Sequence, residues 1–79
     1  RPVMITGDHK DTAVAIAKQL GILSDENQAL SGSQLDELDD KFYFENIENY
    51  SVYARVQPQH KTKIVKTFKE KDIIHRLKN

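Results

Sequence analysis

The chain has no cysteine among its 79 residues, so neither a disulfide nor a thiolate metal site can brace it. That absence fits a reducing compartment. An excess of one charge is also lacking: Lys plus Arg and Asp plus Glu number 12 each. The overall charge therefore argues for no particular partner, and no nucleic-acid partner is expected. No apolar run approaches the roughly 20 residues of a membrane span, and no signal-peptide pattern occurs. Glycine is scarce, with three in all, and no glycine-rich phosphate loop is present. His9, His60 and His75 show no metal-ligand spacing with one another, so solvated histidines are expected. Internal repeats and low-complexity linkers are missing. A chain this short buries a smaller share of its surface than a larger domain and is marginal unless helped. It opens on Arg1 and goes straight into a strand, as expected of a piece of something longer.

What charge there is lies unevenly. Ser24 to Tyr50 holds eight acidic residues against Lys41 alone. Pro58 to Asn79 holds seven basic residues against Glu70 and Asp72. Two solvated faces that partly neutralise each other are the expected reading, ahead of a basic helix that binds nucleic acid or lipid headgroups.

Pro2 to Ile5 reads as a short buried strand, with proline at its first position, where a lost donor is tolerated. Asp8 is expected to cap the helix that follows, because its carboxylate can accept bonds from the first free N–H groups. Ala13, Val14, Ala17 and Leu20 make one apolar helical stripe, and Gly21 stops it. Ala29-Leu30 reads as a very short strand, and Ser31 or Ser33 as the cap of a short helix carrying Leu35 and Leu38. Phe42 to Tyr50 suits a helix with Phe44, Ile47 and Tyr43 inward, or a strand in its first residues. Ser51 to Val56 alternates as a strand, and Pro58 suits the first position of a new helix with Ile64, Val65 and Phe68 inward. After Lys71 the pattern weakens; Ile73, Ile74 and Leu77 either continue that helix or form a separate element. The order strand, helix, small insert, strand, helix predicts an α/β layer with a short parallel sheet and flanking helices.

Ligands of such sheets bind beyond the carboxyl ends of the strands. Thr6-Gly7-Asp8 ends the first main strand, and Gln57-Pro58-Gln59-His60-Lys61 follows the second. If these strands are parallel neighbours, both turns share one sheet edge. Each leads into a helix N-terminus, whose free N–H groups suit an anion such as phosphate. Gly7 permits close backbone approach, and the Thr6 hydroxyl can donate to a phosphoryl oxygen. Lys61 lies at i relative to Ile64, Val65 and Phe68 at i+3, i+4 and i+7. It can point into the cleft and neutralise phosphoryl charge, or snorkel into water. Arg55 alternates with Tyr53 and is read as a surface ion-pair partner.

Together, "VMITGDHKDTAVAIAKQLGI" and "VYARVQPQHKTKIVKTF" resemble the phosphorylation domain of P-type cation-transporting ATPases, in wording closest to the calcium-pump-like group. The resemblance runs from Arg1 to about Lys71. It rests on the order of T-G-D, K-x-T-A-x-x-I-A, A-L-S-G and A-R-V-x-P-x-H-K-x-K-I-V. It implies a haloacid-dehalogenase-like Rossmannoid fold, of which residues 1–79 are a single partial domain. It also implies a membrane protein that couples ATP hydrolysis to cation transport, with this segment on the cytosolic side. The partners implied are the rest of the ATPase chain: its nucleotide-binding, actuator and membrane domains.

The resemblance gives Thr6, Gly7 and Lys61 contact with the phosphoryl group. It gives Asp8 the task of holding the loop and its charge, and sets Arg55 toward the nucleotide. ATP and magnesium are implied for the full-length protein. The family's D-K-T-G-T, which carries the phosphorylated aspartate, and its magnesium-binding G-D-G-x-N-D do not occur in this sequence. Residues 72–79, within "KEKDIIHRLKN", depart from the family pattern. The 79-residue chain is thus expected to be inactive alone, to bind no cofactor tightly, and either to self-associate through an exposed edge of the first strand or to be loosely folded. Two other readings remain beside the pump: a fragment of a dehalogenase-like phosphatase, and a non-catalytic protein-binding module.

Overall fold

The computed structural model describes residues 3–78, with side chains described as far as Asp72. Three parallel strands make the sheet: β1 (Met4–Ile5), β2 (Ala29–Ser31) and β3 (Val52–Ala54), in the order β1-β3-β2. The last strand in sequence is central. Met4 pairs with Val52 and Ile5 with Tyr53 on one side; Ala29, Leu30 and Ser31 pair with Val52, Tyr53 and Ala54 on the other. The expected parallel neighbours are therefore real neighbours. β3 is buried throughout its length, as a central parallel strand covered on both faces should be.

Side chains alternate across the sheet and seed two cores. On one face Val52, Ala54 and Ala29 pack with Ala13, Val14 and Ala17 of α1 (Lys10–Gln19), together with Leu23. On the other, Tyr53 and Leu30 pack with Leu35, Tyr43, Ile47 and Ile64. Leu35 comes from α2 (Gly32–Glu37), Tyr43 from α3 (Asp40–Asn46) and Ile64 from α4 (Pro58–Lys78). Tyr43 and Tyr53 meet edge to face with centroids 6.3 Å apart, and their hydroxyls bond at 2.9 Å. Burial pushes the Tyr43 phenol above its ordinary range, although the bond to Tyr53 opposes this.

Several local expectations need correction. His9, not Asp8, caps α1: its Nδ1 accepts from the Asp11 N–H at 3.2 Å. Asp8 instead turns its backbone inward, donating its N–H to Thr6 Oγ1 at 3.1 Å. Leu20 is the C-terminal cap of α1 and 65% exposed, so it does not extend the buried stripe, and Gly21 at φ +75° turns the chain after it. Within α4, Ile64 is buried and Phe68 half-buried, but Val65 is exposed. Arg55 lies just past β3 with φ +55°, a left-handed conformation that ends the alternation with Tyr53.

Other expectations hold. Ser31 caps α2, accepting from the Gln34 N–H while the Gln34 side chain accepts from the Ser31 N–H. Residues 42–49 are helical, and no strand forms in the first of them: α3 runs into a single 3₁₀ turn at Ile47–Asn49, and Tyr50 is already extended. Pro58 opens α4, and the backbone stays helical past Lys71 as far as Lys78. Pro2 and the side chains of Ile73, Ile74 and Leu77 lie outside the described residues.

The acidic insert meets the basic helix. Lys63 Nζ sits 2.8 Å from Asp40, and this pairing holds the Asp40 carboxyl below its usual range. Lys71 Nζ donates to the Phe44 carbonyl at 3.0 Å and lies over its ring. No helix among the described residues is long and apolar enough to cross a membrane.

Candidate functional site

The carboxyl ends of β1 and β3 lie side by side because those strands are parallel and in register. Backbone bonds hold the two turns together there. The Thr6 N–H donates to the Tyr53 carbonyl at 2.9 Å. The Arg55 N–H donates to the Asp8 carbonyl at 3.1 Å, and the Val56 N–H to the Thr6 carbonyl at 3.4 Å. A cleft of about 450 Å³ opens beside them, lined by Ile5, Thr6, Gly7, Val56, Gln57, Pro58 and Lys61. The structure thus brings Thr6, Gly7 and Lys61 to one cleft. Asp8 and Arg55 lie next to it, joined by their backbones, and do not line it.

Each lining group has a defined chemistry. Thr6 Oγ1 already accepts from the Asp8 N–H, which orients the hydroxyl and leaves its own proton free to donate. Gly7 is exposed, and a Cβ built on it would meet nothing within 4 Å. Gly7 lines the cleft and has open space around its Cβ position, so a side chain there would not clash with the fold. Pro58 opens α4 and, with Lys61, lines the cleft, so the N-terminal end of that helix forms part of its wall, and Lys61 supplies a full positive charge. A hydroxyl donor, open backbone and an ammonium are suited to an anion with several oxygens.

The lining carries no carboxylate. Among the described residues, no three His, Cys, Asp or Glu side chains converge as metal ligands would. The residues here do not fit a magnesium site.

The residue that sequence spacing missed is His60. It is only 6% exposed, not solvated. The Gln57 N–H donates to its Nδ1 at 2.9 Å, and its Nε2 lies 2.9 and 3.0 Å from the two Asp36 carboxylate oxygens. Gly32 packs against it: a Cβ on Gly32 would stand 2.8 Å from Cε1 of the ring and 2.7 Å from the Arg55 carbonyl oxygen. The available signal was a histidine at the third position of a helix, three residues after a candidate cap. Its partners lie 24 and 28 residues earlier, and only the fold unites them.

An α/β segment with an anion-suited cleft where two parallel strands end fits many phosphate-handling proteins. The sequence relatives narrow this. The chain is 52% identical over 71 residues to "Calcium-transporting ATPase 1" of Bacillus cereus, covering 90% of this chain and 8% of that one. It is 54% identical over 69 residues to "Probable cation-transporting P-type ATPase" of Mycoplasma genitalium, covering 87% and 7%. It is 40% identical over 67 residues to human "Calcium-transporting ATPase type 2C member 1", covering 85% and 7%. No protein-family model matches the chain. By these likenesses the chain belongs to the P-type cation-transporting ATPases, and it spans 7 to 8% of the length of these relatives.

Proposed function

We propose that this chain is part of the cytosolic phosphorylation domain of an ATP-driven cation pump, with a haloacid-dehalogenase-like fold, and that it supplies one wall of a phosphoryl-binding cleft. The observation that carries the reading is the meeting of Thr6, Gly7 and Lys61 at the carboxyl ends of two parallel strands. Thr6 donates its hydroxyl proton to a phosphoryl oxygen. Gly7 lets the backbone approach. Lys61 neutralises charge that grows during transfer. Asp8 ties the first turn to the second through its carbonyl and so holds the loop. Arg55 serves the nucleotide side. ATP and magnesium act in the whole protein, whose other segments hold the metal and the phosphorylated aspartate. The relatives' printed names make calcium the favoured cargo. The partners are the remaining domains of the pump.

Titration of the labelled chain with inorganic phosphate tests this by NMR. Thr6 and Gly7 amide shifts should respond. Lys61→Ala should weaken the response about tenfold, as loss of a charge-assisted contact does. Gly7→Ala should weaken it while leaving thermal unfolding unchanged, because its Cβ meets only open space. Lys69→Ala is the control and should leave binding intact. Equal effects of Lys61→Ala and Lys69→Ala would reject the reading.

A further inference from the structure

We infer that His60 is a positioning residue for this cleft: its imidazole fastens the turn between β3 and α4 to α2 and so fixes where Lys61 leaves the helix. The inference deepens the phosphoryl-cleft reading and rests on it. His60 immediately precedes Lys61, and successive helical residues point about 100° apart. One side chain is buried beneath the turn and the other emerges at the cleft.

The ring is held at both nitrogens. Nδ1 accepts the Gln57 N–H, so it carries no proton. The neutral ring must then bear its proton on Nε2, which donates to the Asp36 carboxylate. One tautomer satisfies both contacts, and its reversal breaks both. Gln57 is itself a cleft residue, so the imidazole touches the cleft wall directly.

The packing around the ring admits little movement. Gly32, at the start of α2, lies so close that a Cβ would stand 2.9 Å from Nδ1. The same glycine abuts the Arg55 carbonyl, whose residue adopts φ +55° and donates its N–H to Asp8. The turn after β3 is thus stitched on one flank to the Thr6–Asp8 turn and on the other, through His60, to α2. A histidine placed only to fill space would need neither Asp36 nor the Gln57 N–H.

A double-mutant cycle on the full 79-residue chain tests this, with inorganic phosphate as probe. In the unaltered chain Lys61→Ala is expected to weaken binding about tenfold. In the Asp36→Ala background it should weaken binding less than about threefold, because the lysine is already displaced. Among the described residues the Asp36 side chain bonds to His60, and its carboxylate is largely exposed, so this variant should fold. His60→Asn gives a second background. Equal penalties for Lys61→Ala in all backgrounds would overturn the inference.

A readout without phosphate separates it from the parent reading. Asp36→Ala should speed hydrogen exchange of the Gln57 amide about tenfold, the loss expected for one hydrogen bond, and leave the Ala17 and Val52 amides unchanged. Unchanged Gln57 exchange overturns the positioning role whether or not phosphate binds. Absence of any phosphate response, with Gln57 exchange accelerated, removes the phosphoryl reading and leaves His60 as the fastener of the turn.

Discussion

At Gly32 a single hydrogen stands where any other residue would place a carbon. That carbon would sit 2.7 Å from the Arg55 carbonyl oxygen and 2.8 Å from the His60 ring; the ring is held by the Gln57 N–H, and Arg55 by its own N–H bond to Asp8. Gly32→Ala is therefore expected to destabilise the fold by about 1–3 kcal/mol, the usual cost of overpacking, measured by chemical unfolding. Tyr43 supports a second prediction. Its folded pKa is raised by burial, so the neutral phenol favours folding at every pH below the unfolded value. That stability is lost as pH rises through the folded value. Unfolding should therefore become easier above about pH 10, and Tyr43→Phe should flatten that alkaline fall. The same substitution removes one buried hydroxyl contact with Tyr53, at a cost of about 1 kcal/mol near neutrality. Thr6 and Gly7 were legible as cleft candidates because they follow a strand directly, and Lys61 because it opens the apolar stripe of the helix after the next main strand. His60 was not, because its role is set by Asp36 and Gly32, which only the tertiary fold brings to it.

At the scale of elements, the strand and helix order was readable from apolar spacing and from Gly21, Ser31 and Pro58 as stops and starts. What spacing could not give was the position of β2. The insert strand pairs with the far side of β3, not with β1. β1 is left at the sheet edge, and its alternation shows which groups face outward. The N–H groups of Met4 and Thr6 point to β3, so those of Ile5 point the other way. Such an edge invites pairing with another chain. The chain is expected to self-associate as its concentration rises, seen by light scattering. Ile5→Pro removes the outward donor and keeps both inward bonds, so it should shift the distribution toward monomer. A clean monomer at high concentration for the unaltered chain would exclude edge pairing.

At the scale of the whole molecule, balanced charge hides a division of labour. The acidic insert meets α4 through Lys63–Asp40 and His60–Asp36, which leaves Lys61 on the cleft side of that helix. Phosphoryl transfer depends mainly on positioning and on stabilising charge, yet it still needs an acceptor for the phosphoryl group. The cleft lining offers a hydroxyl already fixed by the Asp8 N–H, an open backbone and an ammonium, but no carboxylate to attack phosphorus. Asp8 lies one residue beyond the lining, and its backbone is bound into the turn. Binding and turnover should therefore separate in this chain. Phosphate should perturb Thr6 and Gly7, while phosphate release from ATP with magnesium present should match the protein-free blank. Release above that blank, lost in Lys61→Ala, would mean that a nucleophile or an activated water operates within these 79 residues. The proposed division between this wall and the rest of the pump would then fail.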